Sequence, residues 1–267
     1  MKFKSLFATA LIMAAALCQA AVPVLTYHRI SSRLPAGETV ISPAMFSQQM
    51  EYLAEQGYTT LSMDELVATM QGTQPLPQKP VVLTFDDGWS SVLTAVPILN
   101  KHSFKASFWI ITKFLHETEN GTRLDYADIK KLAENPRFDI QSHSTTHPWD
   151  HPRSTLLSWV EGRTPGKGPA DVRHELAESK RVLEMTLRRP VDYFAWPQGF
   201  YNEEMLQMAK DAGYKALLTI ENGKPNEVGG DVFRIKRVSI NGACDMKIFV
   251  VQLADATKRD CAFKQRE

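Results

Sequence analysis

Val81-Val82-Leu83-Thr84-Phe85-Asp86-Asp87-Gly88-Trp89 is the stretch on which the reading of the fold turns. Residues 81–85 form a short apolar run, the pattern of a strand buried on both faces. The run leads straight into two adjacent carboxylates and a glycine. Neighbouring acids repel, so keeping both at a strand end calls for a metal or another cation. In α/β barrels the C-terminal ends of strands carry the active site. The same letters also fit a plain Asp-Gly turn in which Asp86 caps the following helix.

Outward from this strand, apolar runs alternate with helical patterns, the signature of βα units and a parallel sheet. Strands are expected over residues 22–27, 105–111, 138–141, 193–196, 215–220 and 233–238. Helices are expected over residues 43–56, 90–100, 126–134, 171–187, 203–212 and 245–253. Segment 148–169, with four Pro and three Gly, reads as an irregular loop, and 71–80 as a similar connector. Seven or eight β units separated by helices fit one α/β barrel, and no linker divides it.

Composition excludes several classes. With 267 residues, 43% hydrophobic and 23% charged, the chain is an ordinary globular sequence. Its 31 basic and 30 acidic residues give a formal charge of +1 and no case for binding nucleic acid. Residues 1–20 read as a signal peptide: Lys2 and Lys4 precede an apolar stretch, and Cys18-Gln19-Ala20 supplies small residues for cleavage. The expected product, residues 21–267, is a single exported domain, periplasmic or secreted. Its charge becomes −1, because the leader carries two Lys and no acid. Cys244 and Cys261 remain, and either a bridge or two free thiols fits an oxidising compartment.

A second cluster follows the expected strand at 138–141. In His143-Ser144-Thr145-Thr146-His147-Pro148, two imidazoles at i, i+4 share one metal if the segment makes a helical turn. The alternative is a capped helix start with solvent-facing histidines. One carboxylate and two neutral imidazoles make three ligands and leave a coordination position for water. The spare carboxylate is then placed for general-base work.

Together these motifs resemble the polysaccharide deacetylases of the NodB-homology family, carbohydrate esterase family four. The resemblance implies a distorted (β/α) barrel of about seven strands. It implies Asp86 as the base, and Asp87, His143 and His147 as ligands of one divalent metal. Zn²⁺ is expected, although a mixed N/O site also accepts Co²⁺ or Ni²⁺. The family's third motif is met in part by Phe194-Ala195-Trp196-Pro197-Gln198-Gly199. There Gln198 inherits the backbone N–H that faces the oxyanion. Ala195 stands where an Arg usually orients the base, and Arg188, Arg189 and Arg237 are candidates to replace it.

The usual C-terminal Leu-x-His is absent. The chain is similar instead to a permuted subgroup, the poly-β-1,6-N-acetylglucosamine deacetylases, whose first strand ends in Tyr-His. Leu25-Thr26-Tyr27-His28-Arg29 matches it, which makes His28 the general acid. Trp89, Trp196 and Pro197 are candidate substrate contacts, and Trp149 and Trp159 are further rings that could stack on sugars. The implied activity is removal of N-acetyl groups from an N-acetylhexosamine polymer, with release of acetate. Alternatives are chitin-like or peptidoglycan substrates, O-acetyl ester hydrolysis, or a catalytically dead polysaccharide-binding module. The expected partners are the N-acetylated polysaccharide and other exopolysaccharide export components, with the chain itself a monomer.

Overall fold

The computed structural model describes residues 21–116, 122–150, 153–220 and 226–254. The expected signal peptide and Cys261 lie outside them; Cys244 is disulfide-bonded. The chain opens with β1 (Val24–Tyr27), β2 (Arg29–Ile30), β3 (Val40–Ile41), α1 (Pro43–Glu55), β4 (Thr59–Thr60) and α2 (Met63–Met70). It continues through β5 (Pro80–Phe85), α3 (Ala95–Lys101), β6 (Ala106–Ile110), α4 (Tyr126–Ala133), β7 (Phe138–Ser142), α5 (Leu156–Val160) and α6 (Pro169–Leu187). It ends in β8 (Tyr193–Ala195), α7 (Glu203–Asp211), β9 (Ala216–Leu218), β10 (Val238–Ser239) and α8 (Met246–Ala254).

Seven strands run in the order β10-β1-β5-β6-β7-β8-β9, all parallel, with β4 alongside β5. The segment leading into β10 also reaches the other edge. Leu218 bridges Ile235, and Thr219 N–H donates to the Ile235 carbonyl at 2.8 Å. Residues 235–239 therefore touch both edges, and the sheet curls into a distorted barrel. Every residue of β1, β5 and β6 is buried, as parallel strands covered on both faces require.

Alternate side chains divide the core in two. Leu25, Leu83, Phe85, Phe108 and Phe194 pack with Phe46, Leu99, Ile129, Leu176 and Met205 of the surrounding helices. Val24, Val82, Trp109, Ala195, Leu218 and Ile235 face the other way and meet Met63, Leu66 and Met70 of α2. In β5 the second set is Val82 and Thr84, so Asp86, next on that face, inherits a buried position.

Some expectations change. Residues 90–100 split into a 3₁₀ turn at Ser90–Thr94 and α3, and residues 148–169 contain the short α5. The expected strand at 233–238 is a 3₁₀ turn at Val232–Arg234 with the two-residue β10 after it. Helix α2 lies outside the expected helices, although Ser62 and Glu65 form a reciprocal capping box at its start.

Gly242 N–H donates to the Gly37 carbonyl at 2.9 Å, beside the β2–β3 pair. A Cβ there would lie 2.1 Å from the Val40 carbonyl oxygen and 2.5 Å from Ile41 Cα. Backbone cannot yield as a side chain tip does. Gly242→Ala should therefore cost about 3 kcal/mol, a fall in Tm of roughly 6–12 °C for a chain of this size. Thermal unfolding followed by circular dichroism checks it; an unchanged Tm contradicts the close approach.

Candidate active site

Parallel pairing brings the C-terminal ends of β1, β5, β7 and β8 to one end of the barrel. His28 follows β1, Asp86 and Asp87 follow β5, His143 and His147 follow β7, and the Pro197–Gly199 turn follows β8. Asp86 N–H donates to the Tyr27 carbonyl (2.8 Å) and His143 N–H to the Ile110 carbonyl (2.9 Å). Both side chains are thereby anchored at strand ends.

Asp87, His143 and His147 each offer one atom to a cluster whose members lie within 4.8 Å of one another. His143 Nε2 and His147 Nε2 stand 3.6 and 3.7 Å from Asp87 Oδ1. Tetrahedral bonds of about 2.0–2.2 Å would space ligand atoms by about 3.3–3.5 Å, so the three fit one small divalent ion. His143 Nδ1 lies 2.8 Å from the Ala195 carbonyl, an acceptor, so this nitrogen carries the proton and Nε2 offers a lone pair. Trp89 Nε1–H donates to Asp87 Oδ2 at 2.9 Å, leaving Oδ1 toward the histidines.

Charge states suit ligation. Burial, reinforced by His143, lowers His147 to about 4, so its imidazole is neutral at pH 7. Burial likewise lowers His143, against the pull of Asp86 and Asp87. Burial would raise Asp87, but His28, His143, His147 and the Trp89 hydrogen bond bring it down to about 2.

Asp86 is 1% exposed. Its Oδ1 accepts from Arg237 Nη1 at 2.8 Å, and Arg237 Nε also donates to the Thr219 carbonyl at 3.1 Å. Burial would raise the Asp86 carboxyl; Arg237 first, then His143 and His28, hold it below the ordinary carboxylate range. Of the three arginines considered for the missing partner, Arg237 occupies the place. Arg189 instead lies 3.7 Å from Asp139. Asp86 Oδ2 is buried without a hydrogen bond among the described residues, 3.7 Å from His143 Nε2. His28 Nδ1 is buried and likewise unpartnered.

The loop from His143 to His147 is not helical. Ser144 and His147 have φ of 70° and 50°, and Ser144 Oγ accepts from His147 N–H at 3.0 Å. The i, i+4 imidazoles meet, with ring centroids 4.7 Å apart, through a bend. Asp87 (71°) and Gln198 (58°) are left-handed as well. Such conformations cost about 1–3 kcal/mol each and persist only where surroundings enforce them. Four of the seven non-glycine residues with positive φ among the described residues belong to this cluster.

The aromatic candidates fare differently. Trp196 is fully buried, 4.9 Å from Phe194 and 6.1 Å from Tyr201 between ring centroids, and Pro197 is buried beside it. Neither presents a face to a sugar. Both faces of Trp89 are covered, by Arg29 at 3.4 Å and Arg123 at 3.3 Å from the ring centroid. The stacking expected of these residues is therefore corrected: their rings are filled by the protein itself. Trp159 is buried too, while Trp149, two residues past His147, is 77% exposed.

Glu175 belongs to none of the sequence motifs. It lies on the buried face of α6 with Val172, Leu176, Ser179 and Leu183. An acid on an otherwise inward-facing stripe was the available signal.

A model of the family described as polysaccharide deacetylase matches residues 73–217, more than half of the chain. The protein therefore belongs to the polysaccharide deacetylase family. It is similar to YxkH of Bacillus subtilis (strain 168), which bears a polysaccharide-deacetylase name: 28% identical over 227 residues, 83% of this chain and 72% of the relative. It is also 28% identical over 234 residues to the poly-beta-1,6-N-acetyl-D-glucosamine N-deacetylase of Escherichia coli (strain K12). That match takes in 77% of this chain but only 34% of the relative, so this chain spans about a third of that protein. Among solved structures, IcaB from Ammonifex degensii superposes with a TM-score of 0.75 and 26% identity, over 89% of this chain and 97% of that one.

Proposed function

We propose that this protein is a metal-dependent deacetylase that removes N-acetyl groups from a poly-β-1,6-N-acetylglucosamine-type polymer. The observation carrying the chemistry is Asp86 Oδ2, a buried carboxylate oxygen without a hydrogen bond among the described residues, beside a three-ligand cluster. Family membership and the name of the Escherichia coli relative support the substrate.

Asp87, His143 and His147 would hold the ion, Zn²⁺ by donor set, with Co²⁺ and Ni²⁺ also accommodated. When bound, such an ion supplies Lewis acidity and lowers the pKa of water towards about 7. Asp86 has one oxygen tied to Arg237, and the other takes the proton of the water that attacks the acetamide carbonyl. The Gln198 backbone N–H donates to the oxyanion that develops. His28 protonates the amide nitrogen, the C–N bond breaks, and acetate leaves. Trp149 is the exposed ring that replaces Trp89 and Trp196 as the sugar platform. The basic and apolar stretch within residues 1–20 supports export to the periplasm or beyond. Among the described residues no helix is long and apolar enough to cross a membrane.

Acetate release from defined oligosaccharides tests substrate, bond and metal together. We expect release from β-1,6-linked N-acetylglucosamine oligomers, a loss on the order of 100-fold or more with chelator, and recovery on adding Zn²⁺. Faster release from β-1,4-linked oligomers or from O-acetyl esters would move the assignment to those substrates. Polymer binding without acetate release would point to a dead binding module.

A further inference from the structure

We propose that Glu175 is the positioning residue of the metal-ligating loop, holding His143 and His147 in register from helix α6. The inference rests on the metal-site reading above. Glu175 is 4% exposed, and the hydrogen bonds to its carboxylate come from uncharged groups of one loop. Its Oε2 accepts from the N–H groups of Thr145 (2.9 Å) and Thr146 (2.7 Å). Its Oε1 accepts from Thr146 Oγ1 at 2.7 Å, and its own backbone carbonyl accepts from Thr145 Oγ1 at 3.2 Å. Thr145 and Thr146 are two of the three residues between the histidines, so one side chain secures the span that sets the imidazole separation.

That span needs securing. Ser144 and His147 are left-handed, and neither is a glycine, so the loop relaxes away from this bend unless its N–H groups are satisfied there. The opposite side of the loop is pinned by Thr112 N–H to the Ser144 carbonyl (3.2 Å) and Lys113 N–H to the Thr145 carbonyl (2.9 Å). Carbonyls are held on one side and N–H groups by Glu175 on the other. Helix α6 is tied to the end of β7 independently, through Ser142 Oγ donating to Ser179 Oγ at 2.8 Å. Glu175 therefore acts from a fixed base. The hydrogen-bond pattern also predicts which replacement works. In Glu175→Gln the amide oxygen can accept both N–H groups while its NH₂ faces Thr146 Oγ1, a hydroxyl able to accept. Alanine supplies none of this.

The test compares Co²⁺ affinity by chelator competition, and the ligand-field absorption of bound Co²⁺, in the wild type, Glu175→Gln and Glu175→Ala. All are measured where circular dichroism shows the fold intact. Glu175→Gln should stay within about threefold of wild type with the same spectrum. Glu175→Ala should bind about 10–100-fold more weakly, as found for lost outer-shell partners, with a shifted spectrum. Unchanged affinity and spectrum in Glu175→Ala, or an equal loss in both variants, overturns the proposal. Should Glu175→Ala not fold, Thr146→Val takes its place: a loss of threefold or more supports the role, and no loss overturns it. A wild type that takes up no Co²⁺ defeats the metal reading itself, a result distinct from any of these.

Discussion

Asp86→Asn should lower acetate release by on the order of 10²–10⁴ while the protein keeps its metal. The substitution is nearly isosteric: its amide oxygen can still accept from Arg237, but the negative oxygen that would take a proton at Oδ2 is gone. That atom is buried, unpaired among the described residues, and not one of the three clustered ligand atoms. Metal content and turnover must therefore separate. Metal analysis beside an acetate assay measures both, and a variant with wild-type turnover would remove Asp86 from the base role. Asp87→Asn serves as the contrast, since there metal and activity should fall together.

The second large effect concerns Arg237. Replacing it by Met leaves the Asp86 carboxylate buried without its cationic partner, a situation that costs about 3–5 kcal/mol. The pH dependence carries the sign. In the wild type the Asp86 carboxyl is held below its ordinary value, so its share of stability is present above an unfolded pKa of about 3.9. That share is lost as pH falls through the folded value. Without Arg237, the burial that opposes ionisation dominates and the carboxyl titrates higher. The stability deficit of Arg237→Met should then be largest near neutral pH and shrink on acidification. The acid limb of kcat/KM should move to higher pH, and Arg237→Lys should sit between the two. Urea unfolding and pH–rate profiles read these effects, and an acid limb that stays in place would show that Arg237 does not tune the base.

The sequence made the chemistry legible where neighbouring residues carry it. Residues 81–89 run a buried strand into two carboxylates, and 143–148 put two imidazoles four residues apart, both at strand ends. Such motifs are local, so their meaning survives without coordinates. What the sequence hid was pairing across distance. The arginine missing from position 195 returns from position 237, on the approach to another strand, and only the closing of the barrel brings it 2.8 Å from Asp86. Glu175 meets Thr145 and Thr146 across some thirty residues for the same reason. Which tryptophans present a free face is not legible in the sequence, because exposure is decided by neighbours. Trp196 is swallowed by the core, and Trp89 is covered on both faces by arginines from two different segments.

By itself, then, the sequence determined the βα alternation, the family and the identity of the clustered carboxylate and imidazoles, because hydrophobic period and short motifs act within a few residues of themselves. The tertiary structure decided that the histidines meet through a left-handed bend rather than a helical turn, that Arg237 serves Asp86, and that Glu175 secures the loop. Those outcomes depend on barrel closure and on which buried polar groups must find partners once water is gone, and no stretch of chain read alone contains that requirement.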